Sequence, residues 1–303
     1  MTNLHQTPFE AVPPENKVRL FGVSYVHLPD DRGGDLYITR DGWPYVQSLM
    51  PSIWYDHQRF HKEGQRLTGG TGTVYRLLCS PPGQPRVELV IKFSRFAEHV
   101  PLFMPSTLPP DLPRELAMHA RFNSPFEEFG LLEDLRRGRF GPPELSIRTK
   151  RAFAIYCPPE RFPLWSLGRK QSEFMMYEKA LEQDQAARGG EPRIHLDIDR
   201  QYVLLFGWVR GDNAEDLLEQ GVMTQEEVEA LSDRVHRELA LKGFRILDNK
   251  PKHFILRLGP DGKPIQRNGQ WVYVQVDFEL LQRTDPYLEV IKRDRAMKGT
   301  SAT

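Results

Sequence analysis

Apolar and polar positions along this chain fall into two periods, and the period changes as the chain proceeds. From Val18 to about Gln65, aromatic and β-branched runs such as RLFGVSYVHL and DLYITRDGWPYV are broken by Gly and Asp. That pattern predicts short strands or a hairpin, followed by a helix-like IWYDHQRFHKEGQRL. The stretch LTGGTGTVYRLLCSPPGQPRVELVIKFSR holds two strand-like runs around a turn-rich connector, an antiparallel hairpin with a glycine turn in front. After the proline-rich FMPSTLPPDLP, the segment DLPRELAMHARFN reads as a short helix capped by Asp111. RAFAIYCPP and RQYVLLFGWV read as strands, separated by a charged stretch whose DQAARGGEPR looks like an insertion loop. GDNAEDLLEQG predicts a small capped helix. In MTQEEVEALSDRVHRELALKGF, Thr224 and Glu227 form a capping box, Val228, Leu231, Val235 and Leu239 make one apolar stripe, and Gly243 stands at the stop. WVYVQVDFELLQR is a strand ending in an acid, and a charged tail follows. Residues 1–17, polar and proline-bearing, are expected as a mobile arm.

Composition narrows the classes. The chain has 303 residues, enough for about two domains or one bilobal unit. Lys plus Arg and Asp plus Glu number 41 each, so no global basic field exists to hold nucleic acid or anionic lipid. The longest apolar run falls short of the roughly 18 residues of a membrane span, and the N-terminus lacks a basic start followed by an apolar stretch. A soluble, cytoplasmic protein is expected. The only cysteines, Cys79 and Cys157, have no CxxC spacing, so neither a disulfide framework nor a cysteine metal site is indicated.

The order of elements suggests a chemistry. A glycine turn between strands lets backbone amides approach a phosphate chain. A lysine on the next strand, Lys92, would neutralise phosphate oxygens, and a helix acid would hold it; Glu115 and Glu98 are the candidates, with Glu115 in the more helical segment. Asp248 and Asp277, at strand ends, would receive a hydroxyl proton and hold magnesium respectively.

These parts resemble the protein kinase family, over roughly residues 67–280. In LTGGTGTV, Gly69 and Gly72 match the second and third glycines of G-x-G-x-x-G-x-V, with Gly70 between them and Val74 in the valine place; Leu67 replaces the first glycine. Lys92 matches the strand lysine. YVLLFGWVRGDNAEDLL resembles the last strand of the small lobe, a hinge at Gly207, Trp208 and Val209, and the small helix beyond. FRILDNKPKHFILR resembles the catalytic loop H-R-D-x-K-P-x-N, placing Asp248 on the catalytic aspartate, Lys250 and Pro251 on the K-P pair and His253 on the metal-binding asparagine. VDFE resembles D-F-G, with Asp277 as metal ligand, Phe278 as packing residue and Glu279 in place of glycine.

The resemblance implies an α+β, bilobal protein kinase-like fold with a β-rich N-lobe and a minimal helical C-lobe. It divides the chain into an N-terminal extension (1–65), an N-lobe with insertions (66–209) and a C-lobe (210–303). It implies ATP with Mg2+ or Mn2+, and transfer of the γ-phosphoryl group to a hydroxyl of a protein or small-molecule acceptor. Four departures touch the chemistry, the first being Glu279, which places another carboxylate beside the expected metal site. Histidine is a poorer magnesium ligand than oxygen. Ile246 and Leu247 replace the usual histidine and arginine, so no pairing with a phosphorylated activation segment is expected. Only about 24 residues follow VDFE, with no A-P-E signature and no helical platform for a peptide. Two alternatives therefore stand beside the kinase: a pseudokinase that binds nucleotide or a partner, and the same fold carrying another transfer. His57 and His61 are helically spaced but lack a third ligand, and Asp197 and Asp199 read as an exposed strand face.

Overall fold

The computed structural model describes residues 7–68, 72–100, 120–188 and 195–299. Their architecture is α+β, organised around one large antiparallel sheet. The chain opens with strands β1 (Lys17–Leu20), β2 (Val23–Pro29) and β3 (Asp35–Thr39). Phe21 and Gly22, both with positive φ, make the two-residue turn joining β1 to β2, the mirror-image turn that matches strand twist. Short helical pieces then span residues 43–62, broken where His57 and Gln58 take left-handed φ. The single helix expected over residues 53–67 does not form, and His57 and His61 do not lie on one helix.

Strands β4 (Gln65–Arg66), β5 (Val74–Cys79) and β6 (Val87–Phe93) follow, then, after helix α1 (Pro125–Arg137), strands β7 (Ala152–Cys157) and β8 (Val203–Gly207). All eight join in the order β1-β2-β3-β7-β8-β6-β5-β4, with every neighbour antiparallel. The expected boundary at residue 65 thus falls inside a sheet: residues 17–39 add three of its strands, because β3 pairs with β7 from Asp35↔Cys157 to Ile38↔Ala154. Residues 7–17 also carry structure, and Val12 is buried in the core. Of the DQAARGGEPR stretch expected as an insertion loop, residues 184–188 end helix α2 (Gln171–Arg188), while residues 189–193 lie outside the described residues.

Side-chain alternation gives the sheet two buried faces, as the period of 2 requires. On one, Val26, Ile38, Leu77, Leu89, Ile91, Tyr156, Val203 and Leu205 pack with Trp43, Leu49 and Trp54 of the 43–62 segment. On the other, Tyr25, Ile155, Leu204 and Phe206 pack with Phe126, Phe129 and Leu132 of α1. Continuous apolar strands such as VLLFG follow from this double burial.

The rest of the chain combines helices with small antiparallel strand pairings. It contains β9 (Asp212–Asn213), α3 (Ala214–Glu219), α4 (Gln225–Leu241), β10 (Phe244–Ile246), β11 (Phe254–Leu256), the hairpin β12 (Gln266–Arg267) with β13 (Gln270–Trp271), β14 (Tyr273–Gln275), β15 (Leu281–Arg283) and α5 (Asp285–Gly299). In α4 the Thr224–Glu227 capping box forms and Val228, Leu231, Val235 and Leu239 are all buried, as the sequence pattern requires. Gly243 follows with φ +76°, where a Cβ would meet Phe140 and Tyr287 at 2.8 Å. The closing charged tail is helical as α5, with Tyr287 packed against Phe140 and Phe244. Both cysteines are free and buried, and burial raises both thiol pKa values.

Candidate functional site

Lys92 sits near the end of β6, directly opposite Val74 on β5 and Leu204 on β8, so those side chains share a face of the sheet. It is a buried lysine, 5% exposed, and three carboxylates surround its ammonium. Nζ donates to Asp277 Oδ1 at 2.8 Å and lies 3.1 Å from Glu279 Oε2 and 3.6 Å from Glu128 Oε1. Burial alone would lower the lysine's pKa; Asp277, Glu128 and Glu279 outweigh it, and the pKa stands well above the usual value.

Glu128 is the helix carboxylate that reaches Lys92. Glu115 lies outside the described residues, and Glu98 pairs instead with Arg95 at 2.9 Å. Glu128 belongs to α1, whose start is written plainly in SPFEE: Ser124 caps, Pro125 fills the first helical position, and Glu127 closes the capping box. With Phe126 and Phe129 buried against the sheet, Glu128 is carried inward to 3% exposure. The capping box and the C-terminal Gly138 were the signals that sequence reasoning passed over.

The segment after β14 supplies the other two acids. Asp277 keeps 27% of its side-chain surface open to solvent, against 3% for Glu128. Burial raises its pKa, but Lys92, His253 and Lys150 hold it far below the ordinary carboxylate range. Glu279 is pushed up to about 7, first by burial and then by Asp277 and Glu128, against the opposing pull of Lys92 and Arg95. Asn123 fixes this segment, donating its backbone N to Glu279 O and its side-chain amide to Phe278 O and Leu281 O. Phe278 is fully buried.

The 247–253 loop stands beside it. His253 Nε2 is 3.6 Å from Asp277 Oδ2, and burial lowers the histidine's pKa despite that neighbour, favouring the neutral ring. Val276 N donates to His253 O, and Gln275 Nε2 to Asn249 Oδ1 at 3.3 Å, so loop and acid segment are tied together. Asp248 and Lys250 pair with each other at 2.6 Å, both partly exposed, and Asp248 is close enough to act on the charge of His253.

Gly69 and Gly70 lie outside the described residues; on either side of them, Leu67 N donates to Val74 O at 2.9 Å. Gly72 is described, and a Cβ there would meet only Arg95, at 3.6 Å. Trp208 leaves β8 half-buried, its N donating to Glu88 O and its ring 4.4 Å from the Arg76 guanidinium, which pairs with Glu88.

One residue had no sequence signal. Lys150, 5% exposed just before β7, places Nζ 3.7 Å from Glu128 Oε1 and 3.5 Å above the Phe206 ring. Burial and the neighbouring Lys92 lower its pKa to about 8. The acids Asp197 and Asp199 pair with Arg161 away from this cluster.

Among the described residues, no group of three or more His, Cys, Asp or Glu converges as a metal cage, and no helix is long and apolar enough to cross a membrane. No family model matches the sequence, and no curated protein does.

Proposed function

We propose that this chain is an ATP- and divalent-metal-dependent phosphotransferase of the protein kinase-like, bilobal type, moving the γ-phosphoryl group to a hydroxyl acceptor. The observation that carries the reading is the environment of Lys92. A strand lysine donates a hydrogen bond to the aspartate of VDFE, 185 positions away in sequence, and lies 3.6 Å from a helix glutamate. Phosphoryl transfer needs that set: positioning and charge neutralisation, with little covalent chemistry by the protein.

In this reading Lys92 orients the α- and β-phosphates and Glu128 holds it in place. Val74, beside Lys92 on the adjacent strand, and Trp208, at the exit of β8, border the base. Asp277 and neutral His253 would hold Mg2+ or Mn2+ together with phosphate oxygens, which suits a cation that keeps few protein ligands. The ion would neutralise charge developing on the phosphates. Asp248 aligns the acceptor hydroxyl and takes its proton, while Lys250 stabilises charge on the transferring group.

A second reading, a pseudokinase that works as a binding module, draws on Glu279. Its carboxylate lies 3.1 Å from Lys92, in the space a phosphate oxygen would need.

Thermal unfolding with ATP, first without metal and then with Mg2+ or Mn2+, tests the reading. Ligand at about 100 times its dissociation constant adds roughly 2.7 kcal/mol, or about 5 to 10 °C. A metal-dependent rise of that size, lost on Lys92→Ala or Asp277→Ala, is expected. Asp248→Asn should keep the rise and abolish loss of the γ-phosphoryl group from ATP. A rise accompanied by no turnover in the unaltered chain favours the pseudokinase; no rise with any nucleotide and metal overturns both nucleotide readings.

A further inference from the structure

Glu128 Oε1 lies between two ammonium groups, 3.6 Å from Lys92 and 3.7 Å from Lys150, and accepts no hydrogen bond. Both separations exceed hydrogen-bond length, so neither lysine holds the carboxylate alone. The scheme above gives Lys150 no task. Yet burying an ammonium costs several kcal/mol unless it is compensated, and Lys150 is as buried as Lys92. Its surroundings join three elements of the site. The ammonium stands over Phe206 at the end of β8 and 5.8 Å from the Phe278 ring, and its backbone N donates to Gln275 O at 3.3 Å.

We propose that Lys150 is a positioning residue that acts through Glu128: by sharing that carboxylate it leaves the Lys92 ammonium turned toward Asp277 and Glu279, the less buried of its three carboxylates. Three carboxylates meet there, and Lys92 contacts all of them. Glu128 is the most buried, so its demand for a counter-ion is the strongest at low local dielectric. With Lys150 present, that demand is divided between two cations. Without it, Lys92 alone balances Glu128 and is drawn onto it, away from the 2.8 Å contact with Asp277 and from incoming phosphate. The consequence for nucleotide rests on the phosphotransferase reading; the change of partner at Lys92 does not.

Lys150→Met keeps the stem over Phe206 and removes the charge. In the full chain, two readouts are followed: the side-chain ammonium resonance of Lys92 without ligand, assigned with Lys92→Arg, and the dissociation constant of ATP with Mg2+. Lys150→Met should shift the Lys92 resonance and weaken ATP about tenfold, a coupling of the size contacting charges show. In a Glu128→Gln background the same substitution should change neither. If Lys150→Met leaves the Lys92 resonance unmoved, or moves it equally in the Glu128→Gln background, the proposal is overturned, and a lowered melting temperature alone would mark a packing role. Lys150→Gln serves in the same comparison should the methionine variant not fold. A resonance that moves as expected in a protein that binds no ATP would uphold the positioning role and sink the phosphotransferase reading instead.

Discussion

Glu279 is a single residue on which structure and pH meet. Burial and the adjacent acids raise its pKa from 4.5 to about 7, so the native state keeps a proton there that the unfolded chain has already released. Between pH 4.5 and 7 the native state therefore binds more protons at this site, and its contribution to stability falls as pH rises. Asp277 has the opposite sign: its lowered pKa gives stability that is present above about pH 3.8 and lost as pH falls below it. Glu279→Gln isolates the first effect. Relative to the unaltered protein, the variant should gain stability across pH 4.5 to 7, by at most about 1.4 kcal/mol per pH unit, and the difference should level off above that. Urea midpoints at several pH values measure it, and parallel curves would show that Glu279 is not protonated in the native state. Residues at this scale were legible where a motif named them: Lys92, His253 and Asp277 converge. Lys150 was not legible, because one lysine ahead of a strand has the same local pattern as a solvated one, and only the fold brings it against Glu128.

At the scale of elements, α4 and α1 make an instructive pair. Both open with a capping box, but α4 shows a clean stripe of four apolar residues, whereas α1 is buried on much of its circumference and its apolar positions follow no single stripe. Periodicity therefore found α4 and missed α1, and with it Glu128, the helix carboxylate beside Lys92 among the described residues. The same burial explains Gly130. A Cβ at this helical position would stand 2.6 Å from Phe21 O and 2.7 Å from Phe21 Cβ, at the β1–β2 turn. Helix propensity favours alanine over glycine by about 1 kcal/mol, so an exposed Gly130→Ala would stabilise. Here the contact is with backbone in a tight turn that cannot yield cheaply, and overpacking costs about 1–3 kcal/mol. Gly130→Ala should lower the denaturation midpoint, and, since Glu128 lies two residues earlier on α1, it should also weaken the ATP binding proposed above. A raised midpoint would mean that α1 and the β1–β2 turn are less tightly apposed than described.

At the scale of the molecule, the question is whether residues before 65 are an appendage. The sequence suggests so, because the stretches that resemble the protein kinase family begin at Leu67 and nothing earlier resembles it. Pairing between strands distant in sequence leaves no local mark, and β3–β7 joins positions more than a hundred residues apart. The 43–62 segment, which reads as the end of a strand-like run and the start of a helix at Ile53, is instead the cover of one sheet face, with Trp43, Leu49 and Trp54 buried there. A chain beginning at Gln65 would lose that cover and leave β7 as a bare edge. It would expose Leu77, Leu89, Ile91, Tyr156, Val203 and Leu205, all fully or almost fully buried in the intact protein. Burial of each such side chain contributes about 1.5–3 kcal/mol, so the sum is comparable with the roughly 5–15 kcal/mol that holds a domain together. An unpaired, apolar edge strand also invites pairing with another copy. The shortened chain should therefore show no cooperative thermal transition, and it should elute as oligomers or aggregate, while the full chain melts in one step. A monomeric, cooperatively melting fragment that still responds to ATP would show that the sheet from β4 to β8 stands without its first three strands, and that the early residues serve some purpose other than the core.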